Sequence, residues 1–122
     1  MRILVIDDNE TTLFLISYIL TKEGYEVQTL LHAEKALENI QNYSPHLLLL
    51  DVNIGGHDGR VISREVRENS TNPNIKIVLI SGELKEALNY EQYGADGFIT
   101  KPFELDDFVK VIKKQLPQAS QN

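Results

Sequence analysis

The chain of 122 residues has no cysteine and no tryptophan, and its 12 Lys and Arg are outnumbered by 18 Asp and Glu. Without cysteine there is no disulfide framework, no thiolate zinc site and no thiol nucleophile. The three histidines, His32, His46 and His57, share no ligand-like spacing, so a zinc enzyme is not expected. A formal net charge of −6 argues against direct nucleic-acid binding, which needs a concentrated basic surface. No apolar run is long enough to cross a bilayer. The start, Met1 and Arg2-Ile3-Leu4-Val5-Ile6 followed by two aspartates, lacks the apolar length and cleavage site of a signal peptide. A cytoplasmic protein with no membrane partner is the expectation. What remains is 42% hydrophobic and 25% charged, the composition of one globular domain with an ordinary core.

Five short apolar runs alternate with stretches of helical period: Ile3–Ile6, Tyr25–Leu30, Leu47–Leu50, Ile75–Ile80 and Gly97–Thr100. All but the second lack inside/outside alternation, as strands buried on both faces do. Helices are predicted over Glu10–Glu23, Ala33–Tyr43, Asp58–Asn69, Glu83–Tyr93 and Glu104–Leu116. This order predicts an α/β fold, a doubly wound five-stranded parallel sheet with helices on both faces. Residues 1–116 form the expected domain, and 117–122 read as a polar tail with no output domain after it.

A doubly wound sheet binds ligands at the carboxyl ends of its strands. Those ends carry Asp7 and Asp8, Asp51, Ser81 with Gly82, and Thr100-Lys101-Pro102. Three carboxylates brought this close repel, by about 4 kcal/mol per pair at 4 Å and an effective dielectric near 20. They therefore call for a cation, and an all-oxygen donor set selects a hard one such as Mg²⁺. Lys101 adds a movable positive charge suited to the oxygens of a phosphoryl group in transfer. Asp51 closes the central strand and is the candidate nucleophile, a carboxylate able to form an acyl phosphate.

In this order, Ile6-Asp7-Asp8, Leu50-Asp51 with Gly59, Ile80-Ser81-Gly82, Gly94-Ala95-Asp96-Gly97-Phe98 and Lys101-Pro102-Phe103 resemble the receiver domains of two-component response regulators over essentially the full length. The resemblance implies a CheY-like, flavodoxin-like three-layer (βα)5 fold. It implies Asp51 as phosphoacceptor, and Mg²⁺ held by Asp7, Asp8, Asp51 and the main-chain carbonyl of Asn53. Ser81 and Lys101 would contact the phosphoryl group, Ser81 and Phe98 would act as the switch, and Lys101-Pro102 would be a cis peptide. The phosphoryl donor would be a histidine kinase or a histidine phosphotransfer protein. A downstream protein would meet the face made by the fourth helix, fifth strand and fifth helix. Such a chain catalyses only its own phosphorylation and dephosphorylation. Two departures concern signalling: Ile54-Gly55-Gly56 replaces the usual Met-Pro after Asp51, which implies a less constrained loop, and the segment from Ser81 to Lys101 is short.

Two other readings stand beside this one. A pseudo-receiver would bind a partner without phosphorylation. A Mg²⁺ phosphatase would need a second acid two residues after its nucleophile, where this chain has Asn53. Asn53 and Glu83, two residues past Asp51 and Ser81, flank the path of an attacking water, so a short-lived acyl phosphate is expected. On the first helix, Leu13, Ile16, Ile19 and Leu20 make one apolar stripe, while Phe14, Leu15 and Tyr18 make a second that is a candidate docking face unless Phe108 or Ile112 covers it. Arg60, Arg64 and Arg67 read as a solvated face.

Overall fold

The computed structural model describes residues 1–116; the expected tail, 117–122, lies outside them. Strand β1 (Arg2–Ile6) leads through α1 (Glu10–Lys22) to β2 (Glu26–Leu30), and α2 (Ala36–Tyr43) leads to β3 (Leu47–Asp51). The short strands β4 (Asn53–Ile54) and β5 (His57–Asp58) precede α3 (Gly59–Asn69) and β6 (Lys76–Ser81). Two single-turn 3-10 helices, Leu84–Ala87 and Tyr90–Tyr93, come before β7 (Gly97–Thr100) and α4 (Leu105–Gln115). The sheet order is β2-β1-β3-β6-β7, every neighbouring pair being parallel.

The unbroken Leu47–Leu50 run occupies the centre, and every residue of β3 is buried because both faces of the sheet are covered. Side chains alternate along each strand. Leu4, Ile6, Leu48, Leu50, Ile77 and Leu79 therefore pack with Ile40 of α2 and Val66 of α3. Ile3, Val5, Leu47, Leu49, Val78 and Ile80 pack with Ile16 of α1 and with Phe108 and Ile112 of α4. Asp51 continues the parity of Leu47 and Leu49, whereas Ser81 continues that of Ile77 and Leu79. The acceptor and the hydroxyl thus belong to opposite layers that meet at the strand ends. Capping fixes where the helices start: the Asn9 side chain accepts from the Thr12 amide at 2.9 Å, and that of Asp58 from the Arg60 amide at 2.9 Å.

The fourth crossover differs from expectation. The single helix predicted over Glu83–Tyr93 is instead the pair of 3-10 turns, interrupted by left-handed backbone at Asn89 (φ 60°) and closed by Gly94 (φ 78°). Neither turn has a buried residue, and Leu84 and Leu88 stay exposed. A helix draws most of its stability from burying an apolar face, and here Leu84 and Leu88 stay in water while Tyr90 packs against the core.

The loop after Asp51 also differs. Ile54 pairs with His57 across Gly55 and Gly56, whose φ values of 50° and 86° are those of a two-residue type I′ hairpin turn. The two glycines, standing in place of Met-Pro, close a defined hairpin.

Candidate functional site

Parallel registry places Ile6 beside Leu50 and Asp51 beside Ile80, so the aspartates that follow β1 sit next to the one that ends β3. Asp7 is 1% exposed and Asp51 6%, while Asp8 is open to solvent. One carboxylate oxygen from each of the three lies within 4.8 Å of the others. The Lys101 ammonium reaches between two of them, 3.3 Å from Asp51 Oδ2 and 3.5 Å from Asp7 Oδ2. The chain holds it there through the Lys101 amide, which donates to the Ser81 carbonyl at 2.7 Å, and Lys101-Pro102 is cis.

Each carboxylate is oriented by a backbone amide. Asn9 N–H donates to Asp7 Oδ1 at 2.9 Å, Gly55 N–H to Asp8 Oδ2 at 2.8 Å and Asn53 N–H to Asp51 Oδ1 at 3.3 Å. The hairpin after β3 therefore steers Asp8 from across the site. Gly59 has a steric reason to be glycine: its amide donates to the Val52 carbonyl at 2.6 Å, and a Cβ would strike the Asp51 carbonyl oxygen and come within 2.9 Å of Val52 Cα.

One ammonium does not balance three carboxylates. Burial, and then the charge of Asp7, push the Asp51 carboxyl up to about 6, while Lys101 and the Asn53 amide pull it back. The donor set fits a hard divalent cation, since it is all oxygen, carries surplus negative charge, and spans little more than the roughly 4.2 Å between opposite ligands of an octahedral Mg²⁺.

Ser81 is buried beside this cluster. Its hydroxyl accepts from the Glu83 amide at 3.0 Å and donates to the carboxylate of Glu86. Asn53 Nδ2 also points to Glu86 Oε1, at 3.5 Å. The sequence points to Glu83 as the acidic neighbour, yet it is the Glu86 side chain that enters the site. The 3-10 turn starting at Leu84 brings it back toward Ser81, a contact the expected α-helix did not suggest. Phe98 is half-buried against the α2/α3 core layer, its ring 6.4 Å from that of Tyr90. Phe14, Leu15 and Tyr18 are 75%, 49% and 56% exposed, so Phe108 and Ile112, both buried in the core, do not cover them.

Of the three arginines Arg64 is exposed, as a solvated face would have it, while Arg67 is drawn into a part-buried network. Arg67 donates to the carbonyls of Gly94 and Ile75, both at 2.9 Å, and to Asp96 Oδ2 at 2.7 Å. Arg64 donates to the Gln92 carbonyl at 2.9 Å, and Arg60 pairs with Asp58 at 3.0 Å. His46 is structural: its Nδ1 accepts from the Arg2 amide at 2.9 Å, and burial together with Arg2 lowers its pKa. His57 meets Glu34 at 3.4 Å on the surface.

Comparison with known proteins adds to this geometry. A family model described as the response regulator receiver domain matches residues 3–113. A protein from Chloroflexus aurantiacus J-10-fl assigned as a response regulator superposes with a TM-score of 0.88 at 28% identity, over 96% of this chain and 98% of that one. The receiver domain of NtrX from Brucella abortus gives 0.85 at 33% identity over 96% and 99%. In a longer NtrX chain the match covers only 26% of the length. The chemotaxis protein CheY4 of Vibrio cholerae gives 0.85 at 26% identity over 94% and 98%. Among the described residues no helix is long and apolar enough to cross a membrane.

Proposed function

The chain belongs to the response regulator receiver domain family, and from that premise we propose that it accepts a phosphoryl group on Asp51 in a Mg²⁺-dependent relay step. The observation that carries this reading is the buried Asp51 carboxylate, flanked by Asp7 and Asp8 and facing the Lys101 ammonium at 3.3 Å.

An Asp51 oxygen forms a bond to phosphorus as the P–N bond of a donor phosphohistidine breaks. The electron pair of that bond returns to the imidazole, which takes a proton from solvent. Lys101 neutralises charge on the equatorial oxygens, and the Ser81 hydroxyl donates to the bound phosphoryl group. Asp7, Asp8, Asp51 and the Asn53 carbonyl would hold Mg²⁺, which when bound supplies positive charge to the same oxygens. The chain acts on itself, not on a metabolite, within a receiver spanning 1–116, in the cytoplasm where ATP-charged kinases work. Asn53 leaves the position two residues after Asp51 without a general acid, which disfavours a phosphatase.

A histidine kinase or histidine phosphotransfer protein would dock on Phe14, Leu15 and Tyr18, which lie on α1 just beyond the acidic rim. A downstream protein would read the face formed by the two 3-10 turns, β7 and α4, through Ser81 and Phe98. Incubation with Mg²⁺ and acetyl phosphate followed by intact mass tests the chemistry. One added phosphoryl group in the wild type and none in Asp51→Asn supports it, and none in either favours the pseudo-receiver. For docking, Phe14→Ser with Tyr18→Lys should slow transfer from a phosphohistidine protein about tenfold while leaving acetyl phosphate transfer unchanged.

A further inference from the structure

The fourth crossover delivers one acidic side chain for which the phosphoryl chemistry has no use. The Ser81 hydroxyl donates its proton to Glu86 Oε1, and the same oxygen faces Asn53 Nδ2 at 3.5 Å. The Ser81 oxygen is itself engaged by the Glu83 amide at 3.0 Å. A serine hydroxyl carries a single hydrogen, so Ser81 has none to offer a second acceptor while Glu86 is in place. A phosphoryl group on Asp51 needs that same hydrogen. Forming the acyl phosphate also replaces the single charge of Asp51 with about two, beside the carboxylates of Asp7 and Asp8 and one ammonium.

We propose that Glu86 is a gating residue: its carboxylate occupies the phosphoryl-binding hydroxyl while Asp51 is unmodified, and phosphorylation expels it and frees the Leu84–Ala87 turn. This rests on Asp51 being the phosphoacceptor. Little else fixes that turn. It buries no residue, Leu84 and Leu88 are 75% and 66% exposed, and its backbone bonds, Glu86 N–H to the Glu83 carbonyl and Leu88 N–H to that of Lys85, are local. Among the described residues, Glu86 makes the only side-chain hydrogen bonds from the turn to the rest of the protein. The neighbouring turn, Tyr90–Tyr93, is held independently: Ser63 Oγ donates to the Tyr93 carbonyl at 2.7 Å and Arg64 to that of Gln92. Release is therefore confined to the first turn, and the site's one flexible competitor leaves as the phosphoryl group arrives.

Two measurements on the full chain test this. The first is amide hydrogen exchange over residues 83–88 in metal-free wild type, Glu86→Gln and Glu86→Ala. Exchange should be about fivefold faster in Glu86→Ala and intermediate in Glu86→Gln, which keeps an acceptor oxygen. Equal exchange in all three overturns the holding contact. The second is titration with BeF3⁻ and Mg²⁺ followed by NMR. Half-saturation in Glu86→Ala should need about threefold less BeF3⁻ than in wild type, and saturated wild type should exchange over 83–88 as fast as the variant. Equal or weaker binding by Glu86→Ala overturns the competition. A response absent from wild type and both variants overturns the phosphoacceptor reading itself, and the exchange comparison then still decides whether Glu86 holds the turn. Glu86→Gln preserves size and serves if Glu86→Ala fails to fold.

Discussion

Two 3-10 turns follow one another in the fourth crossover, and opposite charge arrangements hold them. The second, Tyr90–Tyr93, is bonded by Ser63 and Arg64 and closes at Gly94 against a matched cluster in which Arg67 pairs with Asp96 and also caps the Gly94 and Ile75 carbonyls. The first, Leu84–Ala87, lies against β6 and β7, and among the described residues its side chains hydrogen-bond the rest of the protein only through Glu86, to Ser81 and Asn53 beside a mismatched cluster of three carboxylates and one lysine. A matched cluster is at rest without any ligand. A mismatched one is satisfied only when something else arrives, so the segment fastened to it is the one that responds. Stability and responsiveness are thereby separated within about a dozen residues, with Asn89 and its left-handed backbone at the boundary.

Breaking the matched cluster should have the largest effect. Arg67→Ala strips a donor from two carbonyls and leaves the Asp96 carboxylate, among the described residues, with only the Ile77 amide, at 2.9 Å. Because the ion pair is about a third exposed, a loss of about 2 to 3 kcal/mol is expected in urea melts. A loss below about half a kcal/mol would erase the contrast between the two turns.

Relieving the mismatched cluster should do the opposite, by about 1 to 2 kcal/mol. The folded Asp51 carboxyl, raised to about 6, binds its proton more tightly than the unfolded chain does. Its contribution to stability is therefore present below the unfolded value near 4 and is lost as pH rises through about 6, leaving a cost at neutral pH. In EDTA, Asp51→Asn should be more stable than wild type at pH 7.5, with the difference vanishing by about pH 4. A difference independent of pH would show that the repulsion is not its source. The smallest effect is expected at Leu84→Ala, within about half a kcal/mol, since that side chain is already in water. A larger loss would mean that the first turn is packed and not merely tethered.

Residues placed by strand periodicity were legible, and contacts that depend on the conformation of a loop were not. Asp7, Asp8, Asp51, Ser81 and Lys101 stand at the ends of apolar runs, so strand periodicity and the strand-end rule converge them without coordinates. Asn53 was named for its carbonyl, whereas the bond it makes to Asp51 is through its amide. Glu86 was hidden, because its position relative to Ser81 depends on whether residues 84–87 turn as α or 3-10. The arginine stripe misled for a related reason: Arg64 and Arg67 have the spacing of an exposed helix face, and only the return of the chain at Gln92, Gly94 and Asp96 supplies their partners.

By itself the sequence determined the five parallel strands, their two buried faces and the acidic rim, because each depends on local apolar pattern and on a handedness that parallel sheets share. Tertiary structure alone decided which carboxylate occupies Ser81, that Gly55-Gly56 closes a hairpin whose amide orients Asp8, and that Arg67 anchors a turn almost thirty residues away. Each of these rests on polar bonds whose partners are set by the course of a loop. Such bonds leave no periodic trace in the chain, so they exist only once the sheet has fixed where its loops end.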